Sequence, residues 1–385
     1  MEGDNFDMLL NSNDSEAANE VMLDLVRKDT TGILPSFDFN AVKRQLQGNE
    51  TAVEVIKLSE SDYVALILRN NMEYPRFVAL KNDTITDAYE CLWKSIEADL
   101  IPSEKVYISL DGIFNVLNIE CAKDPLGTMM MDKYDVYRVS TTLKIPNELY
   151  LSDIKKSVIY GNLTYEKQNM EQAQNRGALQ VQKNQRYWGA LKETKREIEF
   201  IKKTLEINNV ECCLKEKNNG TKESFVALSN QNVDLLHLAT HGFYNNVETV
   251  DGIFISAMER AGLVLSGSAM DSVYSKSSGT IFANEISRLD LSSVKLLVLS
   301  ACETAKGQQD IDGLMGLQRG FKQSGVGCMI MSLRTVNSAL TASLMNEFYL
   351  NLARGLSVHK AFYKAQMKIK ETCGNDDWNA FIILD

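Results

Sequence analysis

A histidine and a cysteine stand at the ends of two short apolar runs about sixty residues apart. The first run is Val233-Asp234-Leu235-Leu236-His237-Leu238-Ala239-Thr240, closed by His241-Gly242. The second is Val294-Lys295-Leu296-Leu297-Val298-Leu299-Ser300-Ala301, closed by Cys302-Glu303-Thr304-Ala305. An imidazole beside a thiol is a base beside a nucleophile. The ring takes the proton, the thiolate attacks a carbonyl carbon, and the ring returns the proton to the departing amine. A free thiol titrates near 8.5 and a neighbouring imidazolium lowers that value, while the imidazole itself titrates close to neutrality. Runs this short, rich in Leu and Val and bounded by polar clusters, read as strands buried on both faces of a parallel sheet. Open α/β sheets bind ligands beyond the carboxyl ends of their strands. His241 and Cys302 therefore read as the dyad of a cysteine hydrolase.

The remaining reactive side chains read as structural. His237 precedes His241 by four positions, a zinc-pair spacing on a helix. The run is a strand, however, and no acidic or thiol partner completes a site, so His237 reads as a hydrogen-bonded core residue and no metal is expected. His359 falls on a surface helix. The seven cysteines, an odd count without Cys-x-x-Cys spacing, form neither a disulfide framework nor a zinc site. Cys212 and Cys213 are adjacent and so point to opposite faces of a strand. No Gly-x-Ser-x-Gly elbow supports a serine hydrolase.

Strand signals alternating with helical ones predict the scaffold. Helices are expected over 13–28, 39–47 and 85–99, and strands over 52–58, 63–68, 76–80, 105–110 and 134–140. A second series begins near residue 151, with strands over 157–160, 210–214, 233–240, 294–301 and 327–333. Helices are expected over 191–205, 222–228, 283–289, 314–324, 341–355 and 358–371. Residues 162–185 and 254–281 read as polar connections. Such alternation predicts an α/β fold, a three-layer α/β/α sandwich on a mostly parallel sheet, preceded by a smaller α/β domain. The expected division is a tail and helix over 1–34, a non-catalytic α/β half over 35–150 and a catalytic domain over 151–385.

Composition narrows the class. The 385 residues suffice for two domains, and 44% apolar with 24% charged residues is ordinary for a globular protein. A net charge of −10 argues against sequence-independent binding to nucleic acid or an anionic membrane. No apolar run approaches the roughly 20 residues of a membrane span, and the acidic start (Met1-Glu2-Gly3-Asp4) is unlike a signal peptide. A cytoplasmic location is the resulting expectation.

Ala239-Thr240-His241-Gly242-Phe243 followed by Leu299-Ser300-Ala301-Cys302-Glu303-Thr304-Ala305 resembles the CHAT family of caspase-like cysteine peptidases. Further segments match in order: Lys105–Gly112, Thr194-Lys195-Arg196-Glu197-Ile198, Ala283-Asn284-Glu285-Ile286, Gly313–Phe321, Met331-Ser332-Leu333 and Met345-Asn346-Glu347-Phe348-Tyr349. The resemblance implies a caspase-like fold and peptide-bond hydrolysis by a His241–Cys302 dyad without a cofactor. It places the oxyanion on the backbone N–H groups of Gly242 and Cys302. It also implies a protein substrate, a signal that switches the enzyme on in bacterial stress or antiviral defence, and a sensor that is absent or on another chain. No third residue that orients the imidazole is identifiable in the sequence.

In caspase-like folds the pocket for the residue before the cut is built from the loops after the Cys strand and after the next strand. Here these hold Asp310 and Asp312, and Arg334 and Asn337. The family pattern Ser-Leu-Trp-x-Val-Asp is replaced by Ser332-Leu333-Arg334-Thr335-Val336-Asn337, so specificity does not transfer. Asp310 or Asp312 in the pocket would favour Arg or Lys; Arg334 would favour an acidic residue. A catalytically silent scaffold on the same fold is the alternative function.

Overall fold

Short Leu-, Ile- and Val-rich runs build two separate main sheets. The computed structural model describes residues 39–58, 62–80, 87–101, 105–165, 185–186, 188–245, 248–250, 253–267, 271–272, 279–301, 307–310, 313–372 and 376–385. The chain forms two compact units, one up to Asn147 that also takes in Asp385, the other Glu148–Leu384. The expected helix over 13–28 lies outside the described residues.

The first unit opens with helix α1 (Phe39–Gln45) and strands β1 (Glu50–Lys57), β2 (Tyr63–Arg69), β3 (Arg76–Leu80), β4 (Lys105–Ser109) and β5 (Asp135–Val139). They form a mixed sheet in the order β3-β2-β1-β4-β5, with β1, β4 and β5 parallel and the β1-β2-β3 edge antiparallel. Five- and six-residue gaps between β1, β2 and β3 leave no room for a crossover, so those strands pair as hairpins. The helix expected over 85–99 breaks into a π turn (Tyr89–Trp93), a single α turn (Lys94–Ile96) and a 3-10 turn (Glu97–Asp99). Burial drives the π turn: Leu92 and Trp93 are fully enclosed, and the Trp93 indole stacks on Tyr134 and donates to the Ile119 carbonyl. At the end of β4, Asp111 accepts from the backbone N–H of Gly112 and of Lys57. Gly112 has φ +58° and a Cβ there would fall 2.2 Å from the Tyr63 hydroxyl oxygen, so only glycine fits.

The second unit contributes β6 (Lys156–Leu163), β7 (Gln185–Arg186), β8 (Glu211–Lys217), β9 (Leu235–Leu238), β10 (His241–Tyr244), β11 (Thr249–Val250), β12 (Ile253–Phe254), β13 (Ala261–Val264), β14 (Asp271–Ser272), β15 (Thr280–Phe282), β16 (Leu296–Leu299), β17 (Gly307–Asp310), β18 (Gly313–Gly316), β19 (Cys328–Ser332) and β20 (Phe381–Leu384). The main sheet runs β20-β19-β16-β9-β6-β8, parallel throughout except for the antiparallel edge strand β20. Its helices are α2 (Glu193–Ile207), α3 (Lys222–Val226), α4 (Ala257–Arg260), α5 (Ala283–Ile286), α6 (Leu317–Gln323), α7 (Ser338–Ala353) and α8 (Val358–Thr372).

Alternation along β9 shows the layering. Leu236 and Leu238 join a core with Phe225 of α3, Ile286 of α5 and Phe321 of α6. His237, on the other face, meets Glu197 of α2 and Tyr349 of α7. Helices therefore cover both faces of a buried sheet, a three-layer α/β/α arrangement. The same alternation separates Cys212, bonded to Ser157, from Cys213, which packs on the α3-side core.

Three expectations need correction. The segment 254–281, read as a polar connection, supplies α4 and strands β13 and β15, which join β10 in a three-stranded antiparallel sheet. Its signal is the four-residue run Ala261-Gly262-Leu263-Val264, fully buried but set between Glu259-Arg260 and, past Leu265, Ser266-Gly267. The helix expected from 314 starts at Leu317, because Gly313–Gly316 pair with Gly307–Asp310 and glycine is a poor helix former. The strand expected over 233–240 ends at Leu238, and His241 opens a different strand.

Candidate active site

The site grows from two neighbouring strands. β9 and β16 run parallel in the register Leu236↔Leu297, His237↔Val298 and Leu238↔Leu299. Beyond Leu299, Ser300 and Ala301 remain buried, and the Ala301 carbonyl accepts from Ser332 Oγ of β19 at 2.8 Å. Cys302 itself lies outside the described residues, as does Asp312.

Beyond Leu238 the chain turns at Ala239 and Thr240. The buried Thr240 hydroxyl donates to the Val264 carbonyl and is bonded at 2.9 Å to the Tyr165 hydroxyl. This redirects the chain into β10, where His241 pairs with Val264 and Gly242 with Leu263.

His241 is half-buried, with both ends of its environment defined. Its Nε2 donates to the Gly189 carbonyl at 2.7 Å. A carbonyl only accepts, so Nε2 carries the proton, and in the neutral ring Nδ1 keeps the lone pair. The Tyr165 ring lies 5.0 Å and the Trp188 ring 5.1 Å from the imidazole, and Trp188 continues onto Phe243 at 5.7 Å. Burial lowers the His241 pKa below its ordinary value, and the Gly189 carbonyl opposes part of that shift. The neutral ring is thus the resting form at neutral pH. Burial pushes Tyr165 up to about 12, so it stays protonated beside the ring.

These partners were invisible in the sequence. Gly189 acts through its backbone, and Trp188 and Tyr165 come from either side of a long polar stretch, so no spacing links them to His241. Trp188 within so polar a context was the one available sign.

The pocket candidates have separate placements. Asp310 closes β17, its backbone paired with Gly313. Arg334 donates to the Asn379 side-chain carbonyl at 2.5 Å. Asn337 caps α7, accepting from the N–H groups of Ala339 at 2.9 Å and Leu340 at 3.3 Å. Asn337 also lines a cleft of about 400 Å³ with Ala339, Leu340, Ser343 and Asp377. His237 has both ring nitrogens engaged, by Tyr349 and Glu197, as a hydrogen-bonded core residue. His359 is half-buried on α8. Among the described residues no helix is long and apolar enough to cross a membrane, and no group of three His, Cys, Asp or Glu could hold a metal.

The CHAT domain matches residues 82–384. The chain belongs to the CHAT family. Its fold is α/β. Among curated proteins it is 36% identical over 95 residues to mouse tetratricopeptide repeat protein 28 and 27% identical over 94 residues to the human protein. Each match covers 24% of this CHAT chain and 4% of the relative, so the chain spans only a small part of their length. Among solved structures it is similar to the Arg-specific cysteine proteinase gingipain R (10% identity, 73% of this chain and 62% of that one, TM-score 0.42). It is also similar to the Saccharomyces cerevisiae separase–securin complex (12% identity, 73% of this chain and 15% of that one, TM-score 0.44).

Proposed function

We propose that this CHAT chain is a cysteine endopeptidase in which Cys302 is the nucleophile and His241 the general base. The observation that carries this reading is the β9–β16 register. Three residues beyond the paired Leu238 and Leu299, the two chains reach His241 and Cys302. Adjacent parallel strands lie about 4.8 Å apart at Leu238 and Leu299, where the two chains leave the sheet.

The imidazole suits the role. With Nε2–H committed to Gly189, Nδ1 takes the thiol proton and later passes it to the leaving amine. The S–C bond forms as the carbonyl π pair moves to oxygen, and collapse of that intermediate expels the protonated amine. Water then hydrolyses the thioester by the same sequence. Gly242 and Cys302 supply the backbone N–H groups that receive the oxyanion.

The same reading assigns residues 151–385 to catalysis and 35–150 to a non-catalytic partner half. It takes a specific protein as substrate and Asp310, Asp312, Arg334 and Asn337 as candidates for choosing the residue before the cut. A trigger in bacterial stress or antiviral defence follows from the family resemblance, and a cytoplasmic setting from the charge and hydropathy of the sequence. The test is to incubate wild-type chain and Cys302→Ala with cell lysate and map new protein termini. Termini that appear with the wild type and vanish with the variant are expected; identical sets would leave the silent scaffold.

A further inference from the structure

Trp188 and Gly189 act on the imidazole as a unit. The Gly189 carbonyl takes the Nε2 proton at 2.7 Å, and the preceding indole lies 5.1 Å from the same ring at 39°. Trp188 is itself held by Phe243, two residues along the His241 strand, at 5.7 Å; Phe243 in turn packs edge-on against Phe282 at 5.9 Å. The dipeptide is tethered on both sides. Upstream, β7 pairs antiparallel with β14, Gln185 with Ser272 and Arg186 with Asp271. Downstream, the Leu191 carbonyl accepts from Thr194 Oγ, which itself accepts from the Asn162 N–H of β6.

The indole N–H of Trp188 is buried and has no hydrogen-bond partner. A desolvated, unpaired donor disfavours this placement. Ring packing against His241 and Phe243, not a polar contact, therefore keeps Trp188 in place. The Tyr165 ring also lies 5.0 Å from the imidazole, so two aromatic rings pack against it. Tyr165 is the titratable group facing the imidazole among the described residues, and the Cys302 thiol is the one expected from the β16 side.

We infer that Trp188 is a positioning residue for His241: its indole fixes the plane of the imidazole and seats the Gly189 carbonyl on Nε2, leaving Nδ1 for the thiol. The inference rests on the peptidase reading for its kinetic consequence. Its geometric consequence is measurable without catalysis.

The experiment compares full-length wild type, Trp188→Phe and Trp188→Ala by histidine side-chain NMR titration and by kcat and KM on a cleaved peptide. With three histidines in the chain, His241→Asn assigns the signal. Trp188→Phe keeps a ring and removes the unpaired donor, so it should match the wild type. Trp188→Ala should lose the Nε2–H tautomer preference and move the His241 midpoint up toward 6.5. It should lower kcat by about 10- to 100-fold with KM changed less than about threefold. Should Trp188→Ala not fold, Trp188→Leu, with volume but no ring, takes its place under the same expectations. An unchanged tautomer and midpoint in the ring-less variant, or a Phe variant as impaired as it, overturns the inference and leaves the peptidase reading standing. A wild type without peptidase activity whose His241 titration still responds to loss of the ring overturns the peptidase reading and supports the inference.

Discussion

His237 Nε2 lies 3.1 Å from Glu197 Oε1, and both side chains are completely shut off from solvent. The other ring nitrogen meets the Tyr349 hydroxyl at 3.2 Å, so one residue of β9 ties α2 and α7 to the main sheet. Burial, reinforced by the Glu197 charge, holds Tyr349 well above the ordinary tyrosine range, so its hydroxyl stays protonated. Removing one member of such a buried group leaves the others unpaired, at a cost of about 1–3 kcal/mol. Glu197→Ala should lose that much stability in urea unfolding, and Glu197→Gln, which keeps hydrogen-bonding capacity, clearly less. A loss below about 1 kcal/mol for the alanine variant would mean the group is not an anchor.

The lowered pKa of His241 has a signed consequence for stability. The unfolded ring titrates near 6.5 and the native ring below that, because burial disfavours the imidazolium. Between the two values the unfolded chain binds more protons, so stability rises with pH. The contribution is complete above 6.5 and is lost as pH falls through the lowered native value. Unfolding midpoints followed from pH 7.5 to 5 should therefore fall more steeply for wild type than for His241→Asn. Parallel curves would show that burial does not hold the ring neutral.

Gly262 sits in β13 against the strand that starts with His241. A Cβ there would lie 2.7 Å from Phe243 Cζ and 2.9 Å from the Ile281 carbonyl oxygen, and the latter is backbone that has no free rotor. Gly262→Ala should cost about 1–3 kcal/mol and reduce turnover further than that stability loss explains, because relief displaces the Phe243 ring of the His241 strand and parts β13 from β15. Wild-type turnover together with wild-type stability would contradict this coupling.

The layered sheet and the positions of its central strands were legible because Leu- and Val-rich runs such as 235–238 and 296–299 can only be buried on both faces. What was not legible depended on partners far away in the chain. Ala261–Val264 is too short to outweigh its polar flanks, and it becomes a strand because β10 and β15 bracket it. His241 looked like the end of a strand, but the Thr240 contacts with Tyr165 and Val264 make it the start of another. The group that orients the imidazole is a carbonyl, and a backbone atom has no signature in residue types.

Asn337 gives a discriminating case at the second pocket loop. Its side chain accepts from two N–H groups at the start of α7, and replacing such a cap by alanine costs about 1 kcal/mol. Asn337→Ser should retain stability, and Asn337→Ala should lose about that amount in thermal or urea unfolding. If both variants also keep the ranking of a peptide panel varied at the residue before the cut, Asn337 is a cap and not a specificity residue. A changed ranking in the stable serine variant would place it in the pocket.

The central claim is a thiol, three residues past β16, activated by the histidine that opens β10. The most direct measurement is reaction of the full chain with a peptide carrying an electrophilic carbonyl, followed by intact mass and peptide mapping. The expected result is a single adduct on Cys302, absent in Cys302→Ala and formed at least about 100-fold more slowly in His241→Ala. An adduct on another of the seven cysteines, or a Cys302 rate indifferent to loss of His241, would contradict it.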